Sequence, residues 1–130
     1  MRTAILSGLI VSLLVACQST GVGPTGLLYK TWERQPVTSS TNTDQLLTFR
    51  ADGQVRYGTN QDEAGCCRPG QFKLANDQLV FIISYGKIDC SLVYCVQSPL
   101  VTSTPWTVTT LTESDLTIRN NGQSITFKAR

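Results

Sequence analysis

Residues 46–57 read LLTFRADGQVRY, and the register of the turn in their middle decides the fold. A two-residue loop at Asp52-Gly53 sets Phe49 opposite Arg56, which no half-buried sheet tolerates. A three-residue loop, Ala51-Asp52-Gly53, with Gly53 in the left-handed position of a G1 bulge, instead sets Phe49 opposite Val55 and Leu47 opposite Tyr57. A slip of one residue moves every side chain to the other face. The agreement of two apolar pairs therefore specifies a hairpin with one buried side.

The same test works at two further places. In GQFKLANDQLVFII (70–83), a two-residue Asn76-Asp77 turn places Leu74 against Leu79, Phe72 against Phe81 and Gly70 against Ile83. In LTIRNNGQSITF (116–127), Asn121-Gly122 suits a type I′ turn, whose two central residues need positive φ; Ile118 then faces Ile125 and Leu116 faces Phe127. Two strands remain: LLYKTWERQPV (27–37) at the start and PWTVTTL (105–111) before the last hairpin. Trp106 and Val108 share one parity and Leu111 the other, which predicts a bulge near Thr109-Thr110. YCVQ (94–97) is a short further candidate. No segment keeps a capped 3.6-residue periodicity, so helix is limited to a turn or two. About eight strands in a hairpin meander leave exposed edges unless the sheet closes, so the expected fold is all-β, a small antiparallel up-and-down barrel.

The arrangement resembles the small lipocalin-like lipoproteins of bacterial envelopes. The residues that carry the resemblance are Trp32 in strand one, LTFRADGQVRY, GQFKLANDQLVF, WTVTTLTESDLTI and the final ITF. The position two before Trp32, glycine in lipocalins proper, is Lys30. The resemblance implies a barrel over 27–130 whose loop at TSSTNTD (38–44) lies at the mouth of a cavity. Inward-facing candidates to line such a cavity are Phe49, Val55, Tyr57, Phe72, Phe81, Trp106, Ile118 and Phe127; the competing expectation is that these residues fill the barrel themselves.

The chain opens MRTAILSGLIVSLLVACQST. Arg2, an apolar run from Ala4 to Ala16 and the sequence Leu14-Val15-Ala16-Cys17 follow the layout of a secretory signal, and the run is shorter than the ~20 residues that cross a bilayer as a helix. The four residues 14–17 resemble a lipobox. That resemblance implies a signal peptide over 1–16, lipid on Cys17, a Gly/Ser/Thr-rich tether over 17–26 and membrane attachment through acyl chains. Gln18, not aspartate, follows the cysteine and points to the outer membrane. The net charge of +2 is scattered; there is no basic stripe for nucleic acid.

With Cys17 lipidated, an exported protein keeps four cysteines, Cys66, Cys67, Cys90 and Cys95, in a compartment where disulfides persist. Extending the 70–83 ladder sets Cys66 and Cys67 near Lys87 and Gly86, a few residues from Cys90 and Cys95. Two bridges from the first pair to the second are expected, in either order; a vicinal Cys66–Cys67 bridge with a separate Cys90–Cys95 bridge is the alternative. Zinc or copper(I) on four thiolates is disfavoured by the absence of C-x-x-C spacing and of histidine. No cofactor is expected.

Without histidine there is no imidazole base or Ser-His relay. Asp52, Asp77 and Asp115 sit at turns, where aspartate is structural. Asp62, Glu63 and Asp89 flank the cysteines and read as a solvated face before they read as an acid pair. The expected function is non-enzymatic: a membrane-anchored module that binds a small apolar or amphipathic molecule, or an envelope interaction or inhibitor module acting on a protein partner through its tied loops, with Leu92, Val93 and Tyr94 as the motivating residues.

Overall fold

The computed structural model describes residues 25–37, 45–86 and 88–130. The expected signal peptide, Cys17, most of the tether, the loop 38–44 and Lys87 lie outside the described residues. A 3-10 turn, Thr25–Leu28, straddles the expected start of the barrel at residue 27 and precedes eight strands. These are β1 Thr31–Gln35, β2 Leu46–Phe49, β3 Val55–Tyr57, β4 Gln71–Ala75, β5 Gln78–Ile82, β6 Trp106–Leu111, β7 Asp115–Asn120 and β8 Gln123–Ala129. The sheet order is β3-β2-β1-β8-β7-β6-β5-β4, antiparallel throughout. The fold is an up-and-down barrel.

The expected registers are present, except that the β4–β5 ladder ends at Gln71–Ile82, where Gly70 N donates to Ile82 O (3.1 Å) in place of a Gly70–Ile83 pair. Leu47 pairs with Tyr57 and Phe49 with Val55; Leu74 pairs with Leu79 and Phe72 with Phe81; Leu116 pairs with Phe127 and Ile118 with Ile125. Gly53 has φ +85°, and Asn76, Asn121 and Gly122 also lie in the left-handed region. The register of β6 against β7 shifts between Val108 and Thr110, so the bulge stands where the change of parity predicts it.

The outer two strands of the sheet, β3 and β4, meet in a short seam. Val55 N donates to Gly70 O (2.9 Å) and Phe72 N to Gly53 O (2.9 Å) around a single Gln54–Gln71 bridge. Phe49 meets Phe72 edge-on across this seam, with centroids 5.0 Å apart. Tyr57 hydroxyl donates to Pro69 O, and the Arg68 guanidinium lies 4.2 Å from the centre of the tyrosine ring. Two ladder bonds, an aromatic contact and a stacked cation thus close what is otherwise an open edge.

Strand one is shorter than the sequence suggests. Residues 27–30 form part of the 3-10 turn and a bend, because the Leu28 carbonyl is engaged from two sides: Trp32 Nε1 donates to it (2.9 Å), as does Lys30 N (2.8 Å). Leu28 is buried with Trp32. YCVQ forms no strand.

In a meander the connections alternate between the two ends of the barrel. The N-terminal turn, the β2–β3, β4–β5 and β6–β7 turns and the C-terminus share one end, where Lys30 Nζ donates to Glu113 O (2.9 Å) and Ala129 N to Ser114 O (2.9 Å). The β1–β2, β3–β4 and β5–β6 loops and the β7–β8 turn share the other. A β-carbon on Gly53 would meet only Phe72 O, at an ordinary 3.5 Å, so substitution there acts through φ. Gly53→Ala is expected to lose about 1–2 kcal/mol in urea unfolding with an unchanged m-value. Gly26→Ala, at a residue with no atom within 4 Å of the added carbon, is expected to change stability by less than about 0.5 kcal/mol.

Candidate functional site

Cys66 and Cys67 lie in the β3–β4 loop, Cys90 and Cys95 in the β5–β6 loop, and the meander brings both loops to the same end. Cys66 is bonded to Cys90 and Cys67 to Cys95, with Cα separations of 5.6 and 5.1 Å. Of the two orders left open by the sequence, the structure takes this one. These two bonds take up all four sulfurs. Residues 90–95 and the dipeptide Cys66-Cys67 thereby form a closed ring.

The β5–β6 loop has an anchored half and a displayed half. Leu100 is buried, and its carbonyl accepts a hydrogen bond from Trp106 Nε1 (2.9 Å). Ser98 is buried too; its hydroxyl accepts from Leu100 N (3.3 Å) and its carbonyl from Val101 N (3.1 Å). Asn120, a buried amide on β7, donates to the carbonyls of Thr104 (2.7 Å) and Pro105 (3.0 Å). These contacts hold residues 98–105 to the barrel. The first half, up to Gln97, is held mainly by the disulfides. Val93 N donates to Cys90 O (3.1 Å), closing a turn, and Ser91 N donates to Asp89 Oδ1 (3.0 Å). The bond from the Ser91 backbone, then that from its hydroxyl, hold the Asp89 carboxyl below the ordinary aspartate value, which makes it a weaker base.

From Leu92, inside that turn, onward the side-chain exposure alternates. Leu92, Tyr94 and Val96 are 97%, 97% and 87% exposed, whereas Val93 is half-buried and Cys95 is tied to Cys67. Val93 lines a groove of about 580 Å³ with Ile83, Tyr85, Ile88 and the four half-cystines. From Cys90 to Pro105 the chain carries no charged residue. Apolar side chains of this size are ordinarily buried, so three displayed at alternate positions of an uncharged loop stand out from the rest of the surface.

The eight residues named as cavity candidates lie elsewhere. Phe49, Val55, Tyr57, Phe72, Phe81, Trp106, Ile118 and Phe127 are all buried in the barrel core, together with Trp32, Leu47, Leu79, Leu111 and Leu116. Phe49 packs on Phe81 (5.9 Å) as well as on Phe72. The acids flanking the cysteines do not gather: Glu63 pairs with Arg56 (3.1 Å), Asp62 exchanges backbone bonds with Tyr57, and Asp89 turns to Ser91. Sequence reasoning misses Leu100, Ser98 and Asn120. The motif RNNG marks the turn at Asn121-Gly122, but the partners of Asn120 lie fifteen and sixteen residues back, beyond any local signal.

The molecule is thus a small, nearly closed, side-chain-filled β-barrel with a doubly disulfide-tied apolar loop at one end. Comparisons with protein-family models, curated proteins and solved structures give no significant match to this chain.

Because the barrel ladders are independent of the bridges, they are expected to survive their loss. The double variant Cys67→Ser/Cys95→Ser removes a bridge spanning 28 residues. With Cys66–Cys90 still in place, it is expected to keep the β far-UV spectrum while losing about 2.5 kcal/mol in urea unfolding, the chain-entropy value for the ring of about eight residues that the second bridge closes.

Proposed function

We propose that this protein is a non-catalytic, lipid-anchored interaction module of the bacterial envelope that engages a protein partner through the tied loop at residues 90–97. The observation that carries the reading is the contrast between a barrel packed with its own aromatic side chains and a loop that displays Leu92, Tyr94 and Val96 to solvent. A scaffold with a free cavity presents its apolar surface inward; this one presents it outward. Exposed aromatic and aliphatic anchors on a pre-organised loop lose little conformational entropy on binding.

The export signal and the lipobox support placement in the envelope, at the outer membrane, on either face. At most about 28 Å of chain separates Cys17 from Thr25, and Thr25 begins the end of the barrel opposite the tied loops. An anchor on Cys17 therefore attaches at the barrel end opposite the displayed residues.

The test is site-specific photo-cross-linking in living cells, with p-benzoylphenylalanine at position 94 of the full chain. A discrete protein adduct is expected, absent from the same probe at Lys73 on β4, weakened by Leu92→Asp and by Val96→Asp, and lost from the membrane fraction with Cys17→Ser. The absence of any adduct at 94, or the same adducts at 73, defeats the reading.

The groove beside the disulfides supports a second reading, in which a small apolar or amphipathic molecule binds outside the barrel. Its volume lies within the range of small-molecule sites, and Ile83, Tyr85, Ile88 and Val93 supply apolar walls. Native mass spectrometry of protein extracted from its source membrane decides it. A co-purifying ligand mass that Ile88→Asp abolishes is the expected signature of that reading; the lipidated protein mass on its own removes it.

A further inference from the structure

The adjacency of Cys66 and Cys67 has a consequence for what the loop does when a partner grips it. Any peptide bond between Cys90 and Cys95 lies inside a ring closed by the two disulfides and the Cys66–Cys67 peptide bond. Cutting such a bond releases nothing. The piece ending at the cut stays bonded through Cys90 to Cys66, and the piece beginning after it stays bonded through Cys95 to Cys67. The new ends remain neighbours at a high effective concentration, so rejoining competes with separation.

Residues 92–96 also carry the marks of a bound substrate. After the turn at 90–93, Tyr94 and Val96 are almost fully exposed, whereas Val93 is about half exposed against the groove and Cys95 is bridged, an alternation that suits an extended segment. Among the described residues, the backbone amides of Tyr94, Cys95 and Val96 have no hydrogen-bond partner within the chain, leaving this stretch open to pair with another backbone. The segment is uncharged, and its most protruding aromatic is Tyr94, one residue before the bridged Cys95.

We propose that residues 92–96 are a substrate-like strand for the cleft of an exported endopeptidase with an apolar primary pocket. Tyr94 fills that pocket, and the disulfide ring makes the bound loop an inhibitor instead of a substrate. The inference rests on the interaction-module reading and names the partner's chemistry. Attack on the Tyr94 carbonyl carbon breaks the Tyr94–Cys95 amide. In full hydrolysis one water is consumed, leaving a carboxylate on Tyr94 and an ammonium on Cys95. In the acyl-enzyme the Cys95 amine stays tethered beside the ester through Cys67, Cys66 and Cys90. Its return displaces the enzyme's nucleophile and restores the original bond with no net change in atoms.

The probe is chymotrypsin, assayed with a small chromogenic substrate against the purified full chain with its disulfides intact. Competitive inhibition is expected, weakened about 30-fold or more by Tyr94→Ala, the scale of an interfacial anchor. Tyr94→Lys is expected to transfer inhibition from chymotrypsin to trypsin, whose primary pocket carries an aspartate. Because this side chain is 97% exposed, both variants keep the fold, and a merely structural role for Tyr94 would not exchange one enzyme for the other. After long incubation, a nick at Tyr94–Cys95 is expected to separate into fragments only on reduction. Rapid degradation without inhibition, or inhibition indifferent to residue 94, overturns the proposal. If chymotrypsin is unaffected while the cross-link at 94 persists, the strand-in-cleft proposal falls and the interaction module stands; loss of both removes both.

Discussion

Gly53 stands where two constraints of the barrel cross. Its positive φ allows a three-residue turn with a bulge, in which Gly53 N donates to Arg50 O (3.0 Å) and Arg50 N to Gln54 O (2.9 Å). That turn decides which face of β2 and β3 is apolar. The Gly53 carbonyl also accepts the amide of Phe72 on β4, so the same residue joins the first strand of the seam to the last. With the turn one residue shorter, Phe49 would leave the interior and lose both Phe72 and Phe81, and the seam would have nothing apolar beneath it. Register and closure are therefore one problem in this protein, because β3 is only three residues long and a short strand cannot hold a seam by ladder bonds without help from the side chains under it.

Closure has a cost for binding that the rest of the structure reflects. Two tryptophans, a tyrosine and four phenylalanines converge on a barrel of short strands, and their volume fills it. Trp32 and Trp106 each bury their ring nitrogen by donating to a nearby carbonyl, Leu28 O and Leu100 O, so both are fixed at the two ends of the interior, with their polar atoms satisfied. The displayed apolar side chains lie instead at the loop end opposite the N-terminal turn. There the two longest described connections are bound to each other by adjacent half-cystines and one is pinned to the barrel by Asn120. The displayed half of that loop has few backbone bonds of its own, and the disulfides supply the order that a ladder supplies elsewhere.

The hairpins were legible because each is a local statement: turn chemistry plus apolar parity within a dozen residues. The bulge at Val108–Thr110 was legible for the same reason, as a change of parity inside one strand. The start of β1 was not. Leu27 and Leu28 read as strand by composition, but the Trp32 indole takes the Leu28 carbonyl and bends the chain before Thr31. YCVQ has the residues of a strand without a neighbouring edge to pair with. The inward parity of Phe49, Tyr57, Phe81 and Trp106 was also readable, whereas parity says nothing about whether residues on opposite walls touch; that depends on barrel diameter and tilt.

By itself the sequence determined the all-β class and the three registers, because these follow from turn geometry and period-two alternation; bridges from Cys66 and Cys67 to Cys90 and Cys95 were its expectation, beside a vicinal alternative. Only the tertiary structure decided that Cys66 takes Cys90 and Cys67 takes Cys95, since both pairings close the same two loops and the choice depends on how the loops approach in space. It also decided that the interior is packed and that Leu92, Tyr94 and Val96 face outward. Burial is a property of what surrounds a side chain, and for these residues the surroundings come from strands and loops far away along the chain.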